Sequence, residues 1–202
     1  HGVTEDDKVL VTGHSRGGAV ANLLAADLDF RAQADYGPFA LAGIYAYTFA
    51  APRVTTRGSD AQSPLYHNIF NVVNPTDLVA RIPFAGWGYR RYGVTVELPE
   101  AGDPDFSELY GRMQDRRAET TGYRNDGDPI TSQDAGALDD FEAHVLEAAP
   151  DLESLQSFDS LIGLLGAFGH LNVGHVVASH YPDTYLAWLQ TLDPRRVVLE
   201  ED

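Results

Sequence analysis

Ser15 is the residue whose type and setting most directly indicate chemistry. It stands at the centre of residues 13–17, Gly-His-Ser-Arg-Gly, which match the pattern Gly-x-Ser-x-Gly. A β-branched stretch precedes this run and an alanine- and leucine-rich stretch follows it, so we predict a tight turn between a strand and a helix. Such a turn lifts the hydroxyl clear of the sheet and needs glycine where side chains would clash. The pattern therefore indicates nucleophilic catalysis by Ser15.

The same turn offers a candidate oxyanion donor. The backbone N–H of Arg16 follows the serine at the start of the predicted helix, where fixed dipoles stabilise developing negative charge. We expect Arg16 to act through this backbone group. His14 is interpreted as structural, because neighbours on a tight turn point apart. The alternative for the whole motif is a glycine-rich turn whose serine caps the helix.

A serine nucleophile needs an imidazole base and a carboxylate that orients the base. Enzymes with a serine on such a turn carry these groups in the chain order Ser, acid, His. Asp77 is the predicted acid, because it follows the apolar run 69–73 at the carboxyl edge of the predicted sheet. A turn-forming or helix-capping aspartate is its alternative. Asp103 and Asp105 suit the role less well, because they open a polar helical stretch.

The candidate bases are the histidines that follow Asp77, namely His144, His170, His175 and His180. His144 lies in an acidic helical stretch, where solvation explains it. The even spacing of the other three does not predict a metal site, because five residues turn a helix by roughly 140° and place strand side chains on opposite faces. His180 precedes the closing helix on a predicted loop, a usual location for a catalytic residue. Position alone favours His180 narrowly over His175, and no metal or cofactor is expected.

The elements that position these residues follow an α/β pattern. Apolar runs at 41–51 and 69–73 are typical of buried parallel strands. Residues 89–98 alternate as in a half-exposed edge strand or hairpin arm, where the sheet is predicted to end. Residues 103–151 turn polar and predict two helices separated by a loop at 122–129. We interpret this polar region as an insertion.

Two later helices carry apolar stripes. The closing helix is predicted to begin at Pro182, with Asp183 as a first-turn carboxylate outside the catalytic group. Its inward side chains are predicted to be Tyr185, Leu186, Trp188, Leu189 and Leu192. An earlier stripe is interpreted as plain core, with an acyl pocket or a cap as the alternative. It comprises Leu155, Phe158, Leu161, Ile162, Leu165 and Phe168.

Composition limits the classes of partner. The 202 residues suffice for one domain, and 44% of them are hydrophobic. The net charge of -16 argues against nucleic acid and favours neutral substrates. With no cysteine, disulfides and thiolate catalysis are excluded, and no apolar run is long enough to span a bilayer. Because the chain starts with His1 just before the first predicted strand, we expect it to be a fragment of a longer protein.

Five segments together resemble the class 3 lipases, the fungal-type triacylglycerol lipase family. They are residues 11–19 (VTGHSRGGA), 47–53 (YTFAAPR), 71–83 (NVVNPTDLVARIP), 87–93 (WGYRRYG) and 180–186 (HYPDTYL). The resemblance implies an α/β-hydrolase fold, of which this chain is the C-terminal portion without the upstream strands. It also implies a triad of Ser15, Asp77 and His180. Arg16 stands where fungal members usually carry leucine, which fits bacterial relatives.

The resemblance implies a triacylglycerol lipase that works through an acyl-enzyme, with acylglycerols or other neutral esters, including those at a lipid interface, as substrates. It favours secretion, and it places the lid and the second oxyanion donor in the upstream half. One partial hydrolase domain is expected over residues 1–202, with a helical insertion or cap at 100–170. The alternatives are a non-lipid esterase or thioesterase, and an inactive interaction domain on the same scaffold. The sequence indicates no oligomeric state.

Overall fold

The computed structural model describes residues 4, 6–123, 129–156 and 171–193. These residues form two compact units. The first comprises the described residues up to Val73 together with Val79–Val96, and the second comprises Asn74–Leu78 and the described residues from Glu97 onward. In the part of the chain that is described, no helix has both the length and the apolar character needed to cross a membrane.

The first unit is built on a sheet whose strands follow one another in space as they do in sequence. The strands are β1 (Val9–His14), β2 (Ile44–Phe49), β3 (Ile69–Val73) and β4 (Val94–Glu97). β1 pairs with β2 in parallel, with Val9 opposite Ile44, and β2 pairs in the same way with β3. The predicted parallel central strands are therefore confirmed, and β4 is the edge strand expected within residues 89–98.

Helix α1 (Arg16–Gln33) covers one face of this sheet. Its buried residues recur at helical spacing and are mostly small, which lets the helix lie close to the strands. They are Gly18, Ala21, Asn22, Ala25, Ala26 and Asp29. These alanines form a core with Val11, Ala46 and Ile69 of the strands. The helix that follows Ser15 is thereby fixed against β1–β3.

A buried polar network sets the position of α1 along the strands. The Asn22 amide donates to Asn71 Oδ1 and to the Tyr92 carbonyl, both at 2.8 Å, and Asn22 Oδ1 accepts from the Tyr92 N–H at 3.1 Å. Asn71 Oδ1 also accepts from Thr48 Oγ1 at 2.7 Å. Because the amides of Asn22 and Asn71 both find partners, their burial is compensated by hydrogen bonds.

The chain between Trp87 and β4 departs from the predicted long strand. Arg90 pairs with Thr55 in an isolated antiparallel bridge, and β4 itself has only four residues. Gly93 separates the two segments at φ +90°, and a Cβ there would lie 2.3 Å from the Ile69 carbonyl oxygen. The close approach of β3 therefore interrupts the alternating pattern, and only its last part forms a sheet strand.

The second unit is helical in its described part. Its helices are α4 (Phe106–Thr121), α5 (Ser132–Ala148), α6 (Val173–His180) and α7 (Pro182–Thr191), and short helices α2 (Gly58–Ala61) and α3 (Leu78–Arg81) lie earlier in the chain. α4 packs along α7 through the rings of Phe106, Tyr110 and Trp188, whose centroids lie 5.5 to 6.3 Å apart. The two helices predicted on either side of residues 122–129 are confirmed.

Two of the side-chain predictions for α7 are wrong. The helix begins at Pro182 as predicted, and Tyr185 and Trp188 are buried. Leu186 and Leu189 are instead 44% and 41% exposed. The face packed against α4 carries Trp188 at its centre, so hydroxyl and methyl side chains at 184, 187 and 191 take the buried positions. The apolar stripe within residues 155–168 concerns side chains outside the described residues.

Candidate active site

Ser15 occupies a sharp turn between β1 and α1. Its φ of 58° and ψ of -129° form a conformation that side-chain-bearing residues rarely adopt. A hydrogen bond of 2.9 Å from the Ser15 N–H to the Phe49 carbonyl anchors the turn to the end of β2. The Ser15 side chain makes no capping hydrogen bond to the described helix α1, which argues against the helix-cap interpretation. A non-glycine residue held in this way is expected where function requires it.

Close backbone contacts explain part of the glycine pattern. A Cβ on Gly13 would lie 2.3 Å from the Gly17 carbonyl oxygen, and one on Gly18 would lie 3.0 Å from both the Ala51 Cβ and the Gly13 oxygen. A Cβ on Gly17 would meet no atom within 4 Å. The expected clash is confirmed at Gly13 and wrong at Gly17. Gly18, rather than Gly17, is the second position where a side chain would be crowded. The two consecutive glycines at 17 and 18 could have indicated this.

Arg16 is the first residue of α1 and follows the strained serine directly. N–H groups in the first turn of a helix have no carbonyl partner within that helix. The Ala19 N–H, by contrast, already donates to the Ser15 carbonyl at 3.1 Å. The location of Arg16 is the one expected of an oxyanion donor, and this role stays a prediction.

The second unit brings Asp77 and His180 into contact. His180 Nδ1 lies 3.0 Å from Asp77 Oδ1 and 2.9 Å from Oδ2. The aspartate side chain is fully buried, whereas that of His180 is 23% exposed. Because a carboxylate only accepts hydrogen bonds, Nδ1 carries the proton, and Nε2 is the ring nitrogen that can take one. This arrangement suits a general base whose orientation is fixed by an acid.

Tyr185 completes the surroundings of the acid. Its hydroxyl donates to Asp77 Oδ2 at 2.8 Å and accepts from the Asn74 N–H at 3.0 Å. The Asp77 carboxylate is thus held by a ring nitrogen and a buried phenol, and the Asp77 N–H also closes the 74–77 turn by donating to the Asn74 carbonyl at 2.9 Å. The sequence interpretation placed Tyr185 in the core and missed this contact. The position of Tyr185 on the helix that directly follows His180 could have indicated that it lies close to the acid.

A further set of hydrogen bonds joins the acid loop to the end of α6. Asn74 Oδ1 accepts from the Thr76 N–H at 3.2 Å and from its hydroxyl at 2.9 Å. The Asn74 amide donates to the Ser179 carbonyl at 3.2 Å, and the Thr76 and Ser179 hydroxyls lie 2.8 Å apart. The residues next to Asp77 and next to His180 are therefore linked to each other, which limits relative movement of the pair.

His180 is the last residue of helix α6, so its predicted placement on a loop is wrong. Tyr181 adopts an extended conformation at φ -66° and ψ 142°, as expected of a residue that precedes proline. Pro182 then begins α7. Since the helix can end no later than Tyr181, the base is held by a helix end on one side and a proline on the other.

The other candidates have separate partners. His175 Nδ1 lies 2.7 Å from Asp134 Oδ1. Asp183 lies in the first turn of α7 as expected and pairs with Arg117 Nε at 2.5 Å. His144 is exposed, with Nδ1 at 2.6 Å from the Asp140 carbonyl oxygen.

Asp103 and Asp105 take local roles around the start of α4, since Asp103 Oδ2 accepts from the Glu100 N–H and Asp105 is the N-cap residue. His170 lies outside the described residues. Within the described ranges, no group of three or more His, Asp or Glu side chains could hold a metal ion.

A parallel sheet with a strained serine between its first strand and the following helix defines the α/β-hydrolase class of fold. Residues 3–87 match the sequence profile of the family described as Lipase (class 3). The resemblance inferred from the motifs is therefore confirmed for the segment that holds Ser15 and Asp77. His180 lies beyond the matched residues.

Solved structures of fungal lipases are also similar to this chain. The lipase of Rhizopus microsporus var. chinensis is 32% identical, with 49% of this chain and 33% of that chain covered and a TM-score of 0.39. The Rhizomucor miehei triacylglyceride lipase is 32% identical over 46% of this chain and 34% of that one, with a TM-score of 0.38. This chain thus spans about a third of their length. Among curated proteins, no sequence matches it.

Proposed function

We propose that this chain carries the catalytic group of a carboxylic ester hydrolase, with Ser15 as nucleophile, His180 as base and Asp77 as the acid that orients it. The main support for this proposal is the contact of 2.9 to 3.0 Å between His180 Nδ1 and the buried Asp77 carboxylate. The strained serine turn and the class 3 lipase profile over residues 3–87 support the same proposal.

In the proposed reaction, Ser15 Oγ attacks the ester carbonyl carbon while His180 Nε2 takes the hydroxyl proton. The Arg16 N–H donates to the resulting oxyanion. Collapse of the tetrahedral intermediate breaks the bond to the leaving alcohol, which receives the proton from His180 and leaves an acyl-serine. Water then attacks the acyl carbon, His180 takes its proton, and that proton returns to Ser15 as the carboxylic acid departs. Atoms and protons balance without a cofactor.

Acylglycerols are the proposed substrates. A neutral ester suits a chain of net charge -16, because an anionic substrate would be repelled. The lipase profile supports the same substrate class. A non-lipid esterase or thioesterase would use the same residues. The catalytic group determines how the acyl bond is broken, but it does not determine which alcohol or thiol departs.

Covalent labelling tests the catalytic assignment. The protein is treated with a serine-reactive alkyl phosphonate, and the adduct is located by peptide mass spectrometry. We expect one adduct on Ser15, with a labelling rate at least about a hundredfold lower in His180→Ala and with wild-type labelling in His144→Ala. An unlabelled Ser15, or labelling that survives His180→Ala unchanged, contradicts the triad. An unlabelled Ser15 in a folded protein instead supports the inactive interaction domain.

Substrate choice is tested by hydrolysis of p-nitrophenyl esters of increasing acyl length and of an acyl thioester. A lipase is expected to retain activity on long chains and on a triacylglycerol emulsion. Rates that collapse beyond short chains exclude the lipase and favour a small-ester esterase. A rate higher on the thioester than on the matched oxygen ester favours a thioesterase.

A further inference from the structure

Helix α6 carries a second histidine–carboxylate pair, on His175. His175 Nδ1 lies 2.7 Å from Asp134 Oδ1, and the two side chains are only 11% and 16% exposed. The pair therefore resembles Asp77 and His180 in its geometry, although it lies near the opposite end of the same eight-residue helix. Nothing in the proposed reaction uses it.

Asp134 is itself fixed by the start of α5. It is the third residue of that helix, and its Oδ2 accepts from the Thr131 N–H at 2.8 Å and from the Thr131 hydroxyl at 3.0 Å. Burial acts to raise the pKa of Asp134, but the hydrogen bonds from His175 and Thr131 outweigh it and lower that pKa. Asp134 is thus a carboxylate whose Oδ1 faces His175, and His175 Nδ1 donates to it.

A cleft lies beside this pair. Asp134 and His175 line a cleft of about 470 Å³, together with Thr131, Gln133, Asn172 and two apolar residues. The hydrogen bond between His175 and Asp134 therefore joins α5 and α6 beside a cleft whose lining residues are mostly polar.

The two pairs hold α6 from different sides. His175 and His180 are five residues apart, so their side chains leave the helix axis in directions roughly 140° apart. The contacts of Ser179 and His180 all act at the C-terminal end of α6, whereas the His175 pair acts near its N-terminal end and in a different direction, so it adds a restraint against rotation of the helix about its axis. A turn of about 10° would move the His180 ring by roughly 1 Å, a displacement that can cost about a hundredfold in rate.

We propose that His175 is a positioning residue for His180: its pair with Asp134 fixes the rotation of α6 and thereby the orientation of the catalytic base. This inference rests on the proposed ester hydrolase function. In this proposal, the N-terminal end of α6 influences catalysis through the orientation of His180, and His175 does not contact the reacting atoms.

The test compares three substitutions at this position. His175→Leu keeps the approximate volume and removes the donor, whereas His175→Asn places an amide nitrogen close to the position of ring Nδ1. His175→Gln carries its amide one carbon too far to replace Nδ1. We measure kcat and KM on a short-chain ester, the rate of Ser15 labelling by the phosphonate, and the thermal midpoint. Val145→Ala serves as the control, because it removes buried methyl groups from α5 eleven residues away from Asp134 and leaves the hydrogen bonds of Asp134 and His175 in place.

The expected result is a kcat about tenfold lower in His175→Leu, with KM within about twofold of wild type and most of the kcat restored in His175→Asn. His175→Gln should resemble leucine. Val145→Ala should lower the thermal midpoint with kcat retained. If His175→Leu does not fold, the comparison of asparagine with glutamine decides the matter.

A kcat that is unchanged in His175→Leu, or equal in the asparagine and glutamine variants, overturns the positioning role. So does an equal loss of kcat in Val145→Ala, which would indicate a general effect of lower stability. The failure of the proposed function is distinguishable, because wild-type Ser15 would then not be labelled at all.

Discussion

Tyr185 donates a hydrogen bond of 2.8 Å to Asp77, the same carboxylate that receives His180 Nδ1. Tyr185 and Asp77 are almost completely buried. The phenol also accepts from the Asn74 N–H, so it connects the loop that carries the acid to the helix that follows the base. Asp77 Oδ2 is therefore held by residues of α6 and α7, which are far from the acid loop in sequence.

Tyr185→Phe should lower both stability and turnover. The substitution leaves the buried Asn74 N–H without its partner and removes one donor from Asp77, which costs about 1–3 kcal/mol in the free energy of unfolding. Urea denaturation measures this loss, and ester hydrolysis should show a lower kcat. Tyr36→Phe, at an exposed tyrosine, is the control and should change neither quantity. An unfolding free energy equal to that of wild type would contradict the structural role of the phenol.

The glycines of the serine turn should respond in opposite ways to alanine. In Gly13→Ala the added Cβ would lie 2.3 Å from the Gly17 carbonyl oxygen, so the backbone must move, at a cost of about 3 kcal/mol or more. In Gly17→Ala the space is open, and alanine in the first turn of α1 should be neutral or stabilising by up to about 1 kcal/mol. Thermal unfolding of the pair checks this contrast. Equal destabilisation by both substitutions would refute it.

Asp29 should make stability depend on pH. Burial raises its pKa from 3.8 to about 6, although the Asn68 amide donates to it, and its Oδ2 has no hydrogen-bond partner among the described residues. The folded state therefore holds a proton that the unfolded chain loses first, so the contribution of Asp29 to stability is fully present below about pH 4, is lost as the pH rises to about 6 and then stays constant.

Asp29→Asn should remove this fall and stabilise the protein above pH 6 by about 1–3 kcal/mol. The measurement is the free energy of unfolding between pH 4 and 8, with Asp27→Asn as the control because Asp27 is half exposed in a surface pair with Arg31. A pH profile that Asp29→Asn leaves unchanged would rule out Asp29 as its source.

Arg117 should contribute much more to stability than its neighbour Arg116. Its side chain is 4% exposed, pairs with Asp183 at 2.5 Å and lies over the rings of Tyr123 and Tyr181. Arg117→Met leaves Asp183 unpaired in a partly buried site and should cost about 2–4 kcal/mol. Arg116→Met breaks only an exposed pair and should cost at most about 1 kcal/mol. Comparable losses in chemical denaturation would show that burial does not strengthen the Arg117 pair.

Local patterns were sufficient to predict the elements that carry the site. The strand before Ser15, the strand at 69–73 and the helix start at Pro182 all follow from apolar runs and from proline, whose effects act over a few residues. Chain order and position favoured Asp77 and, narrowly over His175, His180, and the family resemblance implied the same two residues, which the structure brings into contact.

Contacts between distant segments could not be predicted in the same way. The hydrogen bond from Tyr185 to Asp77 joins residues 108 positions apart, and the His175 pair joins residues 41 positions apart. Both depend on how helices pack, which side-chain periodicity alone does not determine. The exposed Leu186 and Leu189 show the same limit, since an apolar residue type does not specify which side of α7 meets α4.

The amide network under α1 has a consequence for protein engineering. Residues 9–33 comprise β1, the serine turn and α1. Because they are continuous in sequence, they could be transferred as one segment into another parallel sheet. Such a transplant would carry Asn22 into a new interior without Asn71 and Tyr92, the groups that satisfy it here. A buried amide without partners opposes docking of the helix, so the graft would need a matching asparagine on the recipient's third strand. The portable unit is therefore a set of residues from separate strands, rather than one contiguous cassette.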